Sequence, residues 1–305
     1  MSSRSIAREA FRILRSQFFS DKAKALKERR RALFRLLEGQ AEVITFVRDG
    51  VRWTVNLADR GVARRTFVHG DWQAEEIRSL TAWLKAHGYL EAPRTHALDI
   101  GANIGSPSLS LARVTGMQVW SIEPAPENFA LLERNVKDNG LHERIRCFNL
   151  ALTASRRTVA LSLHESRSGG HKIGVSEGGL TERFKDSVPV QGMPLDELMA
   201  EHGLEPARVA FVWSDCQAGE PDVVATGTRL WAAGAPLYAE VWPKGLEARG
   251  DLDGFIGLLR KHFKSMIWGA ELEARGARAQ AISLDRLDAE IRVIKSGHED
   301  ALFLP

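Results

Sequence analysis

From residue 95 onward, strand-sized apolar runs and helix-sized amphipathic runs take turns. This alternation constrains the fold more than any other feature of the sequence. His96–Ile100, 119–122, 145–149, Val209–Ser214 and Leu237–Val241 read as buried strands, and Ser265–Trp268 and 301–304 as weaker ones. Pro107 opens a helix carrying Leu109, Leu111 and Val114, which Gly116 closes. Pro126 opens a second with Phe129, Leu132 and Val136, stopped at Asn139-Gly140. Strands separated by helices pair in parallel, and the helices cover both faces of the resulting sheet. Ligands of such sheets bind beyond the carboxyl ends of the strands, near the point where strand order reverses.

The rest of the chain narrows the class without naming a chemistry. With 305 residues, 44% hydrophobic and 27% charged, it can bury a large core and is not a disordered or fibrous sequence. A net charge of only +3 gives no general footprint for nucleic acid. No apolar run nears the roughly 20 residues that span a bilayer, and no apolar segment precedes a small-residue cleavage site. Cys147 and Cys216 make neither a disulfide framework nor a zinc site, so a reduced, cytoplasmic setting is expected. Charge is uneven, however. Lys and Arg far outnumber Glu9, Asp21, Glu28 and Glu38 within residues 1–38, and Ile6, Phe11, Leu14 and Phe18 recur at helical steps. Residues 1–40 therefore read as a basic helical extension, either solvated or in contact with a second copy, with an anionic surface as the alternative. In 41–94, Val43, Thr45 and Val47 alternate before Asp49-Gly50, and Val51, Trp53 and Val55 alternate after it. That is a hairpin signal, followed by a helix with Ile77, Leu80 and Leu84 on one face. Residues 95–305 form the main domain.

Within that domain, Asp99-Ile100-Gly101-Ala102-Asn103-Ile104-Gly105 leaves the first strand and enters the first helix. Glycines there allow a tight turn, and the helix N-terminus offers unpaired amides to an anionic group. A dinucleotide loop wants a second glycine where Asn103 stands, and Asp99 would repel phosphates. The charge map suits a ligand with a positive amine, and S-adenosylmethionine, with an α-amine, a carboxylate and a sulfonium, matches it. Glu123 ends the second strand, where a carboxylate accepts hydrogen bonds from ribose hydroxyls.

These residues carry a resemblance. Asp99–Gly105, the run Glu123-Pro124-Ala125-Pro126-Glu127-Asn128, then Asn149-Leu150-Ala151-Leu152, Pro194-Leu195-Asp196-Glu197-Leu198, Asp215-Cys216-Gln217-Ala218-Gly219-Glu220 and the terminal Asp300–Leu304 together resemble FkbM-type S-adenosylmethionine-dependent methyltransferases. The likeness spans roughly residues 41–305. It implies an α/β fold of class I methyltransferase (Rossmann-like) type, with a seven-stranded, mostly parallel sheet in the order 3-2-1-4-5-7-6 behind the N-terminal helical and β extension. It also implies that Asp99, Gly101, Ala102, Asn103 and Gly105 hold the methionine end of the cofactor. Glu123 would hold its ribose, with Pro124 and Asn128 shaping that wall, and Asn149 and Ala151 would flank the adenine. Two departures stand out. Ala218-Gly219 reverses the usual Gly-Ala, and Trp213 replaces a common lysine.

The reaction expected is methylation of a hydroxyl on a sugar or small natural-product metabolite. An alcohol is a poor nucleophile while protonated, so a general base is needed. Asp215, Glu220 and Glu240, at or just beyond the ends of the fourth and fifth strands, are the catalytic candidates, with His164 and His171 in reserve. Trp72 and Trp242 could stack on an acceptor ring. No ligand spacing is tight enough for a metal. N-methylation of a small molecule is the alternative, although no Asn/Asp-Pro-Pro-Tyr loop follows the fourth strand. A non-catalytic cofactor-binding or docking protein is the other.

Overall fold

A computed structural model describes residues 3–16, 21–173, 184–292, 294 and 297–305. Phe18, the last residue of the expected N-terminal stripe, lies outside them. The chain opens with helices α1 (Ser3–Arg15) and α2 (Lys22–Leu37), and a hairpin of β1 (Val43–Arg48) and β2 (Val51–Asn56). Helices α3 (Val62–His69) and α4 (Ala74–Ala86) lead to β3 (His96–Ile100), α5 (Ser106–Thr115), β4 (Gln118–Ile122), α6 (Pro126–Asp138) and β5 (Ile145–Phe148). Four further strands follow: β6 (Ala151–Leu152), β7 (Arg157–His164), β8 (Lys172–Ile173) and β9 (Phe184–Met193). Then come α7 (Leu195–Glu201), β10 (Val209–Ser214), α8 (Glu220–Thr226), α9 (Thr228–Ala232) and β11 (Leu237–Val241). The last elements are α10 (Pro243–Arg249), α11 (Leu252–His262), β12 (Ser265–Trp268), α12 (Gly269–Arg275), β13 (Ile282–Ser283), α13 (Leu287–Arg292) and β14 (Glu299–Leu304).

The main sheet runs β13-β12-β14-β11-β10-β3-β4-β5. Strands β11, β10, β3, β4 and β5 are parallel, and β14 is antiparallel to both β11 and β12. Apart from β13 this is the expected 3-2-1-4-5-7-6 order. The sheet has eight strands rather than seven because Ile282 and Ser283 pair with Met266 and Ser265 at the edge. Two residues are too few to leave a periodic signal. A second sheet, β6-β9-β7-β8, lies between the third and fourth parallel strands and was not anticipated. Its own small core joins Leu161, Leu163 and Val190.

Strand alternation sorts the main sheet's side chains into two cores. Leu98, Ile100, Trp120, Ile122 and Leu237 face α8, α9 and α11, through Val223, Leu230 and Phe255. Ala97, Val119, Phe211 and Tyr238 face the opposite way, against Ile77, Leu80 and Leu84 of α4 and Leu109 of α5. The hairpin joins this second core through Val51, Trp53 and Val55. Asn135 of α6 fastens it. The Asn135 side chain accepts from Thr54 N at 2.6 Å and donates to the carbonyls of Thr54 (3.1 Å) and Ile104 (2.9 Å). The N-terminal segment is two helices rather than one. Asp21 caps α2 by accepting from Ala23 N and Lys24 N. Phe34 is fully buried against Phe67 of α3, whereas Ile6, Phe11 and Leu14 of α1 are exposed. Among the described residues no helix is long and apolar enough to cross a membrane.

Candidate functional site

The carboxyl ends of β3, β4 and β10 converge where strand order reverses, and the bend after β3 is the tightest part. Gly101 has φ +84°, and a Cβ there would overlap the main-chain oxygen of Asp215. Only glycine lets the β10 loop come so close. Asn103 adopts φ +51°, a conformation that asparagine tolerates where most side chains do not. Its amide donates to Glu123 Oε2 at 2.8 Å, so the bend and the end of β4 are tied by one hydrogen bond. Glu123 Oε1 accepts from Ala125 N (2.9 Å) and Asn128 Nδ2 (3.3 Å).

These loops enclose a first cavity of about 960 Å³ counted to its open mouth. Gly101, Asn103, Glu123, Pro124 and Ala151, all expected at the cofactor, line it. Ile122, Leu150, Leu152, Leu161 and Ile173 give it an apolar slot. The second sheet thus supplies, through Leu152, Leu161 and Ile173, part of the wall expected from Asn149 and Ala151. Asn149 itself is exposed. Its amide donates to the carbonyls of Glu123 (2.9 Å) and Pro124 (3.1 Å), which fixes the loop from outside. Asn128 likewise sits behind Glu123.

Asp99 is also behind the wall. Its side chain shares the face of Ala97, so it points at α5, and its Oδ2 accepts from Ser108 Oγ. Ala102 and Gly105 are buried beneath the bend with it. Burial pushes the Asp99 carboxyl up to about 7 despite that hydrogen bond. Burial does the same to Glu123, up to about 7, against three hydrogen bonds that lower it. Two buried polar atoms of wall residues, Ser106 Oγ and Trp72 Nε1, have no partner among the described residues, nor has Asp99 Oδ1 behind them. Unpaired buried donors of this kind suit a polar ligand.

A second cavity, of about 1980 Å³ to its mouth, adjoins the first. The two share Val62, Trp72, Gln73, Gly169, Asp215 and Gln217 as lining residues. At its inner end lie Asp215, Glu240, Glu76 and Asp300. Gln217 bridges the first two, donating from Nε2 to Asp215 Oδ1 (2.9 Å) and Glu240 Oε2 (3.2 Å). It does so from a left-handed backbone, φ +54°, followed by Ala218 at φ +69°. Here the reversed Ala218-Gly219 order places an alanine where glycine would fit without strain. Burial raises the proton affinity of Asp215, and burial together with the neighbouring Asp215, Glu220 and Asp300 carboxyls raises that of Glu240. Glu76 of α4 receives a hydrogen bond from Tyr238 Oη at 2.5 Å. Nothing near Glu76 resembled a motif, Asp300 stood in a terminal-strand motif with no site role expected, and only folding brings both to the ends of β10 and β11.

Of the catalytic candidates, Asp215 lines both cavities, Glu240 lines the second, and Glu220 lines neither. The Glu220 carboxylate turns back to accept from Cys216 N (2.9 Å) and Sγ (3.3 Å), closing the β10–α8 loop. A glutamate opening a helix is placed to make this return bond. His171 reaches the first cavity, while His164 Nε2 accepts from Arg167 Nε at 3.1 Å. Trp72 stands on both cavity walls, and Trp242 instead stacks under the Lys172 ammonium at 4.0 Å. Trp213, in the lysine position, packs on Tyr238 with ring centroids 4.7 Å apart. The loop Ser168-Gly169-Gly170 spans the two cavities and is held by Asp59. That carboxylate accepts from Ser168 Oγ (2.7 Å) and from Ala63 N (2.7 Å) at the start of α3. Among the described residues no group of His, Cys, Asp and Glu is arranged to hold a metal ion.

Comparison with solved structures gives distant likenesses. One is to an O-methyltransferase from Bacillus cereus in complex with SAH, at 12% identity, 98% of each chain covered and TM-score 0.42. Another is to cofactor-bound Rv0187 from MTB, at 13% identity, covering 100% of this chain and 98% of that one, TM-score 0.41. Comparison with curated proteins returns no match. The model of the methyltransferase FkbM domain matches residues 99–255, which takes in the bend after β3, Glu123, the second sheet and the Asp215 loop. That match covers just over half of the chain and the whole floor of the first cavity, and it makes this protein a member of the FkbM methyltransferase family.

Proposed function

We propose that the protein transfers a methyl group from S-adenosylmethionine to a hydroxyl of a sugar or other small metabolite. The observation that carries this reading is the position of Asp215, a carboxylate on the shared wall of an apolar, Glu123-floored cavity and a larger polar one.

The residues of the first cavity fit the donor. Glu123 is placed to accept from ribose hydroxyls, and Ile122, Leu150 and Leu152 form a slot for a flat base. Ser106 Oγ and the N-terminus of α5 face the amino-acid end. Asp99 contributes from behind, by holding α5 and by its negative charge. When bound, the donor supplies a methyl on a sulfonium, already activated toward an in-line nucleophile. What remains for the chain is alignment, exclusion of water and removal of one proton. Asp215 accepts the hydroxyl proton as the oxygen takes the methyl, leaving a methyl ether, a neutral thioether and a protonated Asp215. Burial raises its proton affinity, the direction that favours accepting the proton. Gln217 fixes the rotamer of Asp215 and keeps Glu240 on the same hydrogen-bond chain.

The test is mass spectrometry of metabolite extracts incubated with the protein and a methyl-labelled donor. The expected result is one or a few hydroxyl compounds gaining the label, absent with Asp215→Asn. Label on nitrogen alone would replace the hydroxyl reading. No label under any condition, with the donor bound, would leave a binding protein.

A further inference from the structure

The second cavity is electrically divided along its length. Its inner end holds the carboxyls of Asp215, Glu240, Asp300 and Glu76, and its outer wall is arginine, from Arg60, Arg64 and Arg65 around α3, Arg31 and Arg35 of α2, Arg12 of α1, and Arg167. Part of that outer charge is neutralised locally. Arg35 pairs with Glu9 at 3.2 Å, Arg31 with Glu28 at 2.5 Å and Arg60 with Glu38 at 3.3 Å. No ion pair joins Arg64 or Arg65 to a carboxylate among the described residues, although the Arg65 charge lies close enough to Asp215 to lower its proton affinity. The Arg65 guanidinium lies over the Trp72 ring, 4.4 Å from its centroid, on the wall common to both cavities. The surplus is felt by its neighbours. The His69 imidazole, on the same wall, holds its proton less tightly than usual, first through burial and then through Lys27, Arg31, Arg65 and Arg30.

We propose that the acceptor carries a phosphoryl group, held by Arg64 and Arg65, with its reacting hydroxyl turned inward to Asp215. This deepens the proposed function and rests on Asp215 being the base. Three points on the page favour it. Guanidinium forks pair with phosphoryl oxygens in two-point contacts that an uncharged sugar cannot make. Arg64 and Arg65, which have no ion-pair partner among the described residues, stand in a wall of seven arginines and exceed what a single carboxylate would balance, whereas a phosphate ester carries between one and two negative charges near neutrality. The carboxyl end offers an anion no Arg or Lys among its lining residues, so the two ends of the cavity orient a molecule with a phosphate at one end and a hydroxyl at the other. The phosphate-bearing end is then bound by the segment before β3, and the reacting end by the methyltransferase core. Sugar phosphates and nucleoside-diphosphate sugars share this chemistry.

The test uses the full-length chain with pyrophosphate as probe, followed by isothermal titration calorimetry in parallel with S-adenosylhomocysteine. Pyrophosphate is expected to bind in the millimolar range or tighter, with S-adenosylhomocysteine already saturating. Arg64→Ser/Arg65→Ser should weaken it at least about tenfold while leaving S-adenosylhomocysteine affinity unchanged, and Lys85→Ser, an exposed charge on α4, should leave both unchanged. Retained S-adenosylhomocysteine binding shows that the double variant is folded. Pyrophosphate that competes with S-adenosylhomocysteine, binds the double variant as well as the wild type, or does not bind at all overturns the phosphoryl assignment and leaves the methyltransferase reading intact. Failure of S-adenosylhomocysteine to bind the wild-type chain overturns the proposed function, and this inference with it. Glucose 1-phosphate and uridine diphosphate glucose, titrated next, separate the two sources: a simple phosphate ester binds the wall alone, and the nucleotide form gains further affinity.

Discussion

The two cavities share a wall yet are built on different principles. The first is assembled from loops close in sequence. The bend 101–105 and Glu123 belong to one strand–helix–strand unit, and Asn103 N joins them at 2.8 Å. It is mostly apolar, and main-chain amides of Asn103 and Ala125 fix the Glu123 carboxylate. The second cavity gathers Arg31, Arg64, Glu76, Asp215, Glu240 and Asp300 from six separate elements, and its polar groups meet through side chains, such as Gln217 across Asp215 and Glu240. Cofactor sites that recognise one invariant molecule can be written as local motifs. Acceptor sites depend on which distant side chains the packing brings together, which is how one fold serves many substrates.

Predictions can break this division or sharpen it. The largest effect is expected at the shared wall. Asp215→Asn keeps shape and hydrogen bonding but removes the base, and methyl transfer should fall about 100- to 10,000-fold in single-turnover assays while donor affinity changes little. A near-wild-type rate would move the base elsewhere, with Glu240 next in line. Glu123→Ala should weaken donor binding by about 1–3 kcal/mol in calorimetry, without altering pyrophosphate binding. If both ligands are affected equally, the two cavities do not act as separate sites.

A third expectation concerns pH. The carboxyls of Asp99, Glu123 and Glu220 are raised from ordinary values of 3.8, 4.5 and 4.5 to about 7 by burial. The folded chain therefore holds these protons to higher pH than the unfolded chain does. Unfolding releases protons between pH about 4 and about 7, and stability falls as pH rises through that window. The ligand-free protein should melt several degrees lower at pH 8 than at pH 5.5. Saturation with S-adenosylmethionine, whose cationic sulfonium and amine favour the ionised acids, should narrow the gap. A melting temperature that rises with pH would show that these carboxyls are ionised when folded. The smallest effect is at Glu220. Glu220→Gln retains an acceptor for Cys216 N and should cost about 1 kcal/mol or less in denaturant unfolding, with turnover per folded molecule unchanged. A rate loss comparable to that of Asp215→Asn would return Glu220 to the catalytic groups.

How much was legible in the sequence follows the same line. The parallel strands of the main sheet could be read because each is a run of apolar residues bounded by turn residues, and their order followed from the family resemblance. β13 could not, being two residues long. The second sheet escaped because its strands are separated by a long connection, and their pairing, Val159 with Val190 and Leu161 with Val188, is set by tertiary packing. At the site, Gly101, Asn103, Glu123, Pro124 and Ala151 line the first cavity. Asp99 and Glu220 were read as ligand-facing groups, yet both turn inward to fasten a helix and a loop. A carboxylate at a strand end or helix start looks the same in either role, and only the direction of its Cβ decides. Glu76 and Asp59 carry no local pattern, and Gln217 and Asp300 lie in motifs that gave no sign of their roles.

The sequence by itself determined the strand–helix alternation, the bend that only small or left-handed-tolerant residues allow, and an acid at the end of the next strand. Those features depend on neighbours along the chain. Tertiary structure alone decided which acid stands between the two cavities, which acids merely brace the fold, and that arginines of α2 and α3 face a cluster of carboxyls beyond β10 and β11. Such groups lie far apart in the chain, and their distances, and hence their charges and hydrogen bonds, exist only once the sheet has closed.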